Sequence, residues 1–304
     1  MDITNSIINF RRYLKRKNYS PHTVKNYLNV LQHFIRWLDV PVEDTTPKNM
    51  AGYIDFLMDK RLHPKTINCH LGSIRVFYDF LRYEEEVALA NPVKKGSTLR
   101  LPAPLPRYLK DEEVDVFFAR ISKRRDRAIF SLMLRCGLRV EEVACLTIDA
   151  LDLRRRRIFV YNGKGQKDRV VYISDDAYLA LDKYLRIRQK TSTKKLFLVE
   201  KGTYKGQGIS VRGIQKRMEY YAKKAKLKIS CHHLRHTMAT QMLNADAELS
   251  TIQDLLGHNW ITTTQRYCTV SNLKVQRDYF KAMEAVMQRS STTSEGTGSN
   301  QLKH

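Results

Sequence analysis

The chain has 304 residues, and its 54 lysines and arginines against 31 aspartates and glutamates give a formal net charge of +23. Hydrophobic residues make up 42% of the sequence, no apolar stretch approaches the roughly 18 residues of a membrane span, and no signal-peptide layout is present at the N-terminus. These features exclude a membrane-spanning protein and predict a globular chain of one large or two ordinary domains. The excess of positive charge favours a polyanionic partner, nucleic acid first, over mere solubility or an anionic membrane.

The cysteines indicate the redox compartment. There are five, far apart and without a C-x-x-C pair: Cys69, Cys136, Cys145, Cys231 and Cys268. An odd, scattered set argues against a disulfide framework and against a structural zinc site. We therefore expect a reducing, cytoplasmic location.

The first ninety residues contain two similar segments, 20–28 and 63–71. Each predicts a helix with proline in its first turn and apolar residues at three-four spacing. Ser20, before Pro21, and Thr46, before Pro47, are expected N-caps. Similar spacing predicts further helices around residues 7–14 and 50–57, which gives a small helical bundle. We interpret the repeat as two helices built under the same packing rules rather than as a binding code.

Beyond residue 84, prolines alternate with basic residues up to residue 107, which predicts an extended basic linker. The parts of the chain on both sides of it are net basic, as expected if both contact one partner. Further on, the patterns predict helices at 111–121, 125–136, 140–146, 176–189, 210–225, 234–244, 249–256, 261–267 and 273–287. Strands at 158–161 and 169–173 form a predicted β-hairpin. The last fifteen residues are polar, and we expect them to be disordered.

Several basic residues and one tyrosine stand where they could carry chemistry. Arg139 follows a glycine turn at a helix start, Lys164 lies between two glycines at the hairpin tip, and His258 closes a short helix. His232 and Arg235 share another helix start, and Tyr267 comes soon after His258. Each has an ordinary structural explanation when taken alone.

A zinc site is the alternative for one of these segments. Cys231, His232 and His236 are spaced like metal ligands, but no second cluster supplies the remaining ligand, and Arg235 adds a cation. We therefore expect no bound metal.

Together these motifs resemble the tyrosine recombinase family, the phage integrases and Xer-like site-specific recombinases. The resemblance covers residues 3–287, and its motifs appear in the family's order. They are Gly137-Leu138-Arg139-Val140-Glu141-Glu142, Gly163-Lys164-Gly165-Gln166-Lys167-Asp168-Arg169, His232-His233-Leu234-Arg235-His236, and Leu255-Leu256-Gly257-His258, nine residues before Tyr267. Cys136 and Val143 depart from the usual residues, but neither is a catalytic position.

The resemblance implies a fold that is mainly α with a small β-sheet. An N-terminal helical core-binding (SAM-like) bundle would span 1–90, a basic proline-rich linker 91–107, an α+β tyrosine-recombinase catalytic domain 108–288, and a disordered polar tail 289–304. The implied catalytic residues are Arg139, Lys164, His232, Arg235, His258 and the nucleophile Tyr267. Glu142 and His236 are expected to support them, Glu142 by orienting basic residues and His236 by bracing its own helix.

The residue types suit DNA cleavage and rejoining. Two arginines can each donate paired hydrogen bonds to the oxygens of a phosphodiester without losing their charge, and histidines add donors and proton transfer. Lys164 suits a general acid for the leaving 5′-oxygen. A tyrosine nucleophile forms a 3′-phosphotyrosyl ester that keeps the bond energy for rejoining, so neither ATP, metal nor any other cofactor is expected.

The resemblance also implies partners and location. Double-stranded DNA is the expected partner, bound by a homo-tetramer on two recombination sites that passes through a Holliday junction, with no membrane association. The need for a second recombinase or an accessory protein stays open, as does the choice among resolution, integration, excision and inversion. The expected location is the bacterial-type cytoplasm, at the nucleoid. A type IB topoisomerase-like enzyme and a catalytically silent DNA binder are the rival interpretations.

Overall fold

A computed structural model describes residues 2–94, 96–102, 107–161, 168–257, 277 and 279–284. The chain divides into two compact units, Met1–Ala103 and Pro104–His304. The hairpin tip, the helix expected at 261–267 and the polar tail lie outside the described residues. Among the helices that are described, none is long and apolar enough to cross a membrane.

The first unit is a bundle of the helices predicted from the sequence. They are α1 (Ile3–Arg16), α2 (Pro21–Trp37), α3 (Pro47–Asp59) and α4 (Pro64–Tyr83). Proline opens α2, α3 and α4, where its missing N–H group costs no helical hydrogen bond. Both predicted N-caps are confirmed: the Ser20 hydroxyl accepts from the Thr23 amide at 3.1 Å, and the Thr46 hydroxyl from the Asn49 amide at 3.3 Å.

The repeated segments supply the centre of this bundle. Leu31 and Phe34 of α2 and their counterparts Ile74 and Phe77 of α4 are all fully buried. Phe77 also meets Phe10 of α1 edge to face, with ring centroids 5.2 Å apart. The two segments are therefore alike because both fill one core.

The beginning of the predicted linker is fastened to the bundle. Asn91 Nδ2 donates to the Arg75 carbonyl at 2.9 Å, and Asn68 exchanges two hydrogen bonds with the backbone of Leu99, at 2.8 and 2.9 Å. Val93 is buried in the same core. The chain has no regular secondary structure here, as expected, but side-chain amides hold it against α4. Local composition did not reveal this, because the bonded residues are far apart in sequence.

The second unit surrounds a small antiparallel sheet with helices. In chain order its elements are α5 (Asp111–Ala119), α6 (Arg124–Arg135), α7 (Val140–Cys145), β1 (Leu151–Asp152), β2 (Arg157–Val160), β3 (Arg169–Tyr172), α8 (Asp175–Leu185), α9 (Val211–Lys224), α10 (Cys231–Asn244) and α11 (Leu249–Leu256). The sheet order is β1-β2-β3, with Leu151 opposite Ile158 and Ile158 opposite Val171. The predicted hairpin strands are confirmed, and the mainly α fold with a small sheet is as expected.

Apart from shifts of one or two residues at other element ends, three details of the second unit differ from the sequence prediction. Strand β1 was not predicted, since two residues are too few for any alternation to be visible. Helix α8 ends at Leu185 rather than at residue 189, and α10 begins at Cys231 rather than at residue 234. The earlier start of α10 places His232 within its first turn.

Helix α6 is the centre of the second unit. It packs against α8 and α10, and apolar residues from Ala128 to Leu134 are buried on all its sides. At its N-terminus the fully buried Asp126 accepts from Arg125 and, at 2.7 Å, from Arg217 of α9. Buried charge of this kind is tolerated because it is paired and hydrogen-bonded. The N-terminus of α6 is fixed in this way, and its C-terminus leads into the turn that precedes Arg139.

Candidate active site

The turn at Gly137 positions the first candidate arginine. Gly137 follows the end of α6 with φ +62°, a conformation that favours glycine. A Cβ added there would lie 2.9 Å from Leu256 Cδ2 and 3.2 Å from Met238 Sδ. Glycine therefore allows α6 to end against α10 and α11, and Arg139 follows at once as the N-cap of α7.

Arg139 is held by groups on two elements. Its Nη1 donates to Glu142 Oε1 at 2.8 Å, its backbone N–H donates to Glu142 Oε2 at 2.8 Å, and its Nη2 approaches the Gly257 carbonyl at 3.4 Å. The side chain remains 18% exposed. Arg139 is thus fixed in place yet reachable by a ligand.

Arg235 lies on α10 and is 1% exposed. Its Nη1 donates to the Gly137 carbonyl and its Nη2 to the Leu256 carbonyl. The two arginines therefore bond to consecutive carbonyls at the end of α11, while both also lie beside the Gly137 turn. Arg139 and Arg235 are about a hundred positions apart in the sequence, but the carbonyl groups that they bind lie close together in the fold.

His232 joins this cluster from the first turn of α10. Its ring lies 4.3 Å from that of His236, at 76°. Burial lowers the pKa of His232, and the positive charges of Arg235, His233 and Arg139 lower it further. His232 is therefore neutral near pH 7. His236, expected to brace its own helix, packs against His232.

Glu142 is the anionic centre of the cluster, and Arg169 is its second partner. Arg169 Nη1 and Nη2 donate to the two carboxylate oxygens of Glu142, each at 2.8 Å. Burial alone would raise the pKa of Glu142, but the hydrogen bonds and charges of Arg169 and Arg139 lower it to about 2. The expectation that Glu142 orients basic residues fits this geometry.

Arg169 belongs to the hairpin motif, but the sequence analysis gave it no role in the site. The available signal was an arginine at the start of an otherwise apolar strand, five residues after Lys164. Its partner Glu142 lies 27 positions away, so no local pattern connects the two.

Three of the six candidate catalytic residues are described, and these three come together: Arg139, His232 and Arg235. Lys164, His258 and Tyr267 lie outside the described residues. Within the described part of the chain, no group of three or more histidine, cysteine, aspartate and glutamate side chains is arranged to hold a metal ion.

Comparisons with known proteins identify the family. The model of the "Phage integrase family" matches residues 107–273, and that of "Phage integrase, N-terminal SAM-like domain" matches residues 7–85. The chain belongs to the phage integrase family, the tyrosine recombinases. These are enzymes that break and rejoin DNA in site-specific recombination.

Individual relatives agree with this assignment. A tyrosine recombinase XerC from Thermodesulfovibrio yellowstonii is 36% identical over 87% of this chain and 91% of its own length. The crystal structure of a XerA recombinase is 27% identical, with a TM-score of 0.54 over 91% of this chain and 98% of that chain. A XerH recombinase, crystallised on a palindromic difH substrate after cleavage, shares the fold with a TM-score of 0.70, at 18% identity over 86% of this chain and 80% of its own.

Proposed function

We propose that this chain recombines double-stranded DNA at specific sites through a 3′-phosphotyrosyl intermediate, with Arg139, Lys164, His232, Arg235, His258 and Tyr267 as its catalytic residues. The observation that carries the proposal is the convergence of Arg139, His232 and Arg235 at the adjoining ends of α7, α10 and α11. This arrangement concentrates cationic and neutral donors around one small volume. A scissile phosphate is the substrate group that such a volume suits.

The arginines stabilise the negative charge that develops during cleavage. When an oxygen nucleophile attacks the phosphodiester, negative charge grows on its non-bridging oxygens. Arg139 donates to them from a fixed and partly exposed position, and Arg235 holds the surrounding backbone while adding its own charge. Removing one donor of this kind typically slows the chemical step by about 10²–10³-fold.

The remaining residues complete the proton and bond balance. The Tyr267 phenolic oxygen attacks phosphorus, the bond from phosphorus to the 5′-oxygen breaks, and a 3′-phosphotyrosyl ester forms. Lys164 donates a proton to the 5′-oxygen, which leaves as a hydroxyl group. His232 and His258 donate hydrogen bonds and take up the phenolic proton. A 5′-hydroxyl from the partner strand then attacks the ester and releases Tyr267.

Different segments of the chain have different roles in this proposal. We assign core-type DNA binding to residues 1–90, the linker to 91–107, catalysis to 108–288 and a polar tail to 289–304. The charge of +23 supports phosphate contacts by both units. Double-stranded DNA in a bacterial-type cytoplasm, at the nucleoid, is the corresponding partner and place.

Assembly into a homo-tetramer on two sites is part of the proposal. Residues 279–284 are helical, and Tyr279, Phe280 and Met283 expose apolar surface there. Arg277 ties this region to its own chain through the Asn244 carbonyl, at 2.5 Å. A helix anchored at one end with an exposed apolar face suits docking on a neighbouring subunit.

Covalent capture tests the proposal. The protein is incubated with sheared genomic DNA of its source organism, denatured, and the attached fragments are sequenced. We expect adducts at a small set of sites, and we expect Tyr267→Phe to form none while still binding DNA. Tyr204→Phe, at an exposed tyrosine of the same unit, is the matched control and should retain full adduct formation.

Two outcomes would contradict the proposal. Adducts formed by Tyr267→Phe would refute the nucleophile, and a complete lack of adducts from the unsubstituted protein would favour a silent DNA binder. Two captured sites placed on one plasmid then separate the enzymes, since recombination exchanges the flanking DNA whereas a topoisomerase-like enzyme only relaxes supercoils.

A further inference from the structure

Arg169 uses every nitrogen of its guanidinium group inside the candidate active site. Nη1 and Nη2 bind the two oxygens of Glu142, and Nε donates to the Leu255 carbonyl at 2.9 Å. The side chain is 8% exposed. Gly257 leaves it room, since a Cβ there would lie 3.0 Å from Arg169 Cδ. Arg169, the first residue of β3, thus connects Glu142 of α7 to the end of α11.

The charges around Glu142 show what Arg169 contributes. Glu142 carries one negative charge and is bound by two arginines, Arg139 and Arg169. With Arg139 as its sole partner it would form a neutral pair, and a phosphate would compete with the carboxylate for the same guanidinium. Arg169 balances that charge through a bidentate contact, the strongest geometry available to such a pair. Of the charges on Arg139, Arg169 and Glu142, the net positive charge then remains on Arg139.

We propose that Arg169 is a positioning residue that neutralises Glu142, so that Arg139 keeps both its place and its positive charge for the scissile phosphate. This inference rests on the proposed function. Arg169 does not touch the reacting atoms; it acts through Glu142. Its contact with Leu255 also fixes the end of α11, whose Leu256 and Gly257 carbonyls hold Arg235 and Arg139.

A role through charge differs measurably from a merely structural one. If Arg169 only stabilised the fold, the loss of rate in each variant would follow its loss of melting temperature. If Arg169 offsets the charge of Glu142, a neutral residue at 142 removes the need for it. The effect of Arg169→Gln should therefore depend on what stands at position 142.

The experiment is a double-mutant cycle on adduct formation. Single-turnover rates are measured on a duplex that carries a captured site with a nick beside the scissile phosphate. We expect Arg169→Gln to slow adduct formation about 100-fold, the scale of a small misplacement of a catalytic group, and Arg169→Lys about 10-fold, because lysine keeps the charge but lacks the fork. In the Glu142→Gln background, Arg169→Gln should cost less than about 3-fold, and the double variant should react faster than Arg169→Gln alone.

Two controls separate chemistry from folding. Arg157→Gln removes a partly buried ion pair with Asp152 in the same sheet and should leave the rate unchanged. Arg125→Gln removes a buried ion pair outside the site, so it should lower the melting temperature without a comparable loss of rate.

The outcomes distinguish the inference from the proposed function. Two results would overturn the role of Arg169 and leave the proposed function standing. They are equal rate factors for Arg169→Gln in both backgrounds, and a rate loss in Arg125→Gln as large as that in Arg169→Gln. Absence of any adduct from the unsubstituted protein would overturn the proposed function and this inference with it.

Discussion

Replacing Gly137 by alanine should damage both stability and the candidate site. A non-glycine residue at φ +62° costs about 1–2 kcal/mol. The new Cβ would lie 2.9 Å from Leu256 Cδ2 and 3.2 Å from Met238 Sδ, and moving such side chains in a packed core costs about 1–2 kcal/mol more. We therefore expect the free energy of unfolding of the second unit to fall by roughly 2–4 kcal/mol.

Calorimetry measures this directly. For a unit of this size the loss corresponds to a drop in melting temperature of about 5–15 °C. Adduct formation should also slow, because the Gly137 carbonyl accepts from Arg235. Gly72→Ala is the control: an added Cβ there meets nothing within 4 Å, so alanine should stabilise α4 by about 1 kcal/mol. An unchanged melting temperature in Gly137→Ala would refute the assigned role of this turn.

Three further predictions concern pH, salt and metal. Because the pKa of Glu142 is about 2 rather than 4.5, its charge contributes about 3 kcal/mol of stability that is present above pH 4.5 and lost as the pH falls toward 2. Glu142→Gln should flatten this acid limb in unfolding curves, and parallel curves would contradict it. DNA affinity should fall by about 10³–10⁵ between 50 and 200 mM salt if six to ten phosphates are contacted, and a flat response in titrations would refute the phosphate contacts. Adduct formation should survive EDTA, since arginines rather than a metal are proposed to stabilise the phosphate; a strict metal requirement would contradict this.

Elements with local signals were predictable from the sequence. Prolines with preceding serine or threonine fixed the starts of α2 and α3, and three-four spacing identified the buried faces of α2 and α4. Gly137 marked the end of α6, whereas the start of α10 at Cys231 was predicted three residues too late. The family motifs then supplied the reaction, which charge and periodicity alone could not name.

What the sequence did not reveal depends on contacts between distant residues. The fork between Arg169 and Glu142 joins a strand to a helix, and the hydrogen bonds of Asn68 with Leu99 fasten a segment that composition describes as linker. Strand β1 exists because it pairs with β2, not because of its own two residues. Such features follow from tertiary pairing, which has no signature within a short window.

The most direct test is to identify the protein residue in the covalent adduct. The trapped complex is digested with protease and nuclease, and the nucleotide-bearing peptide is sequenced by mass spectrometry. We predict a 3′-phosphate esterified to Tyr267, with a free 5′-hydroxyl on the other side of the break. Attachment at any other residue, or through a 5′-phosphate, would contradict the proposed mechanism.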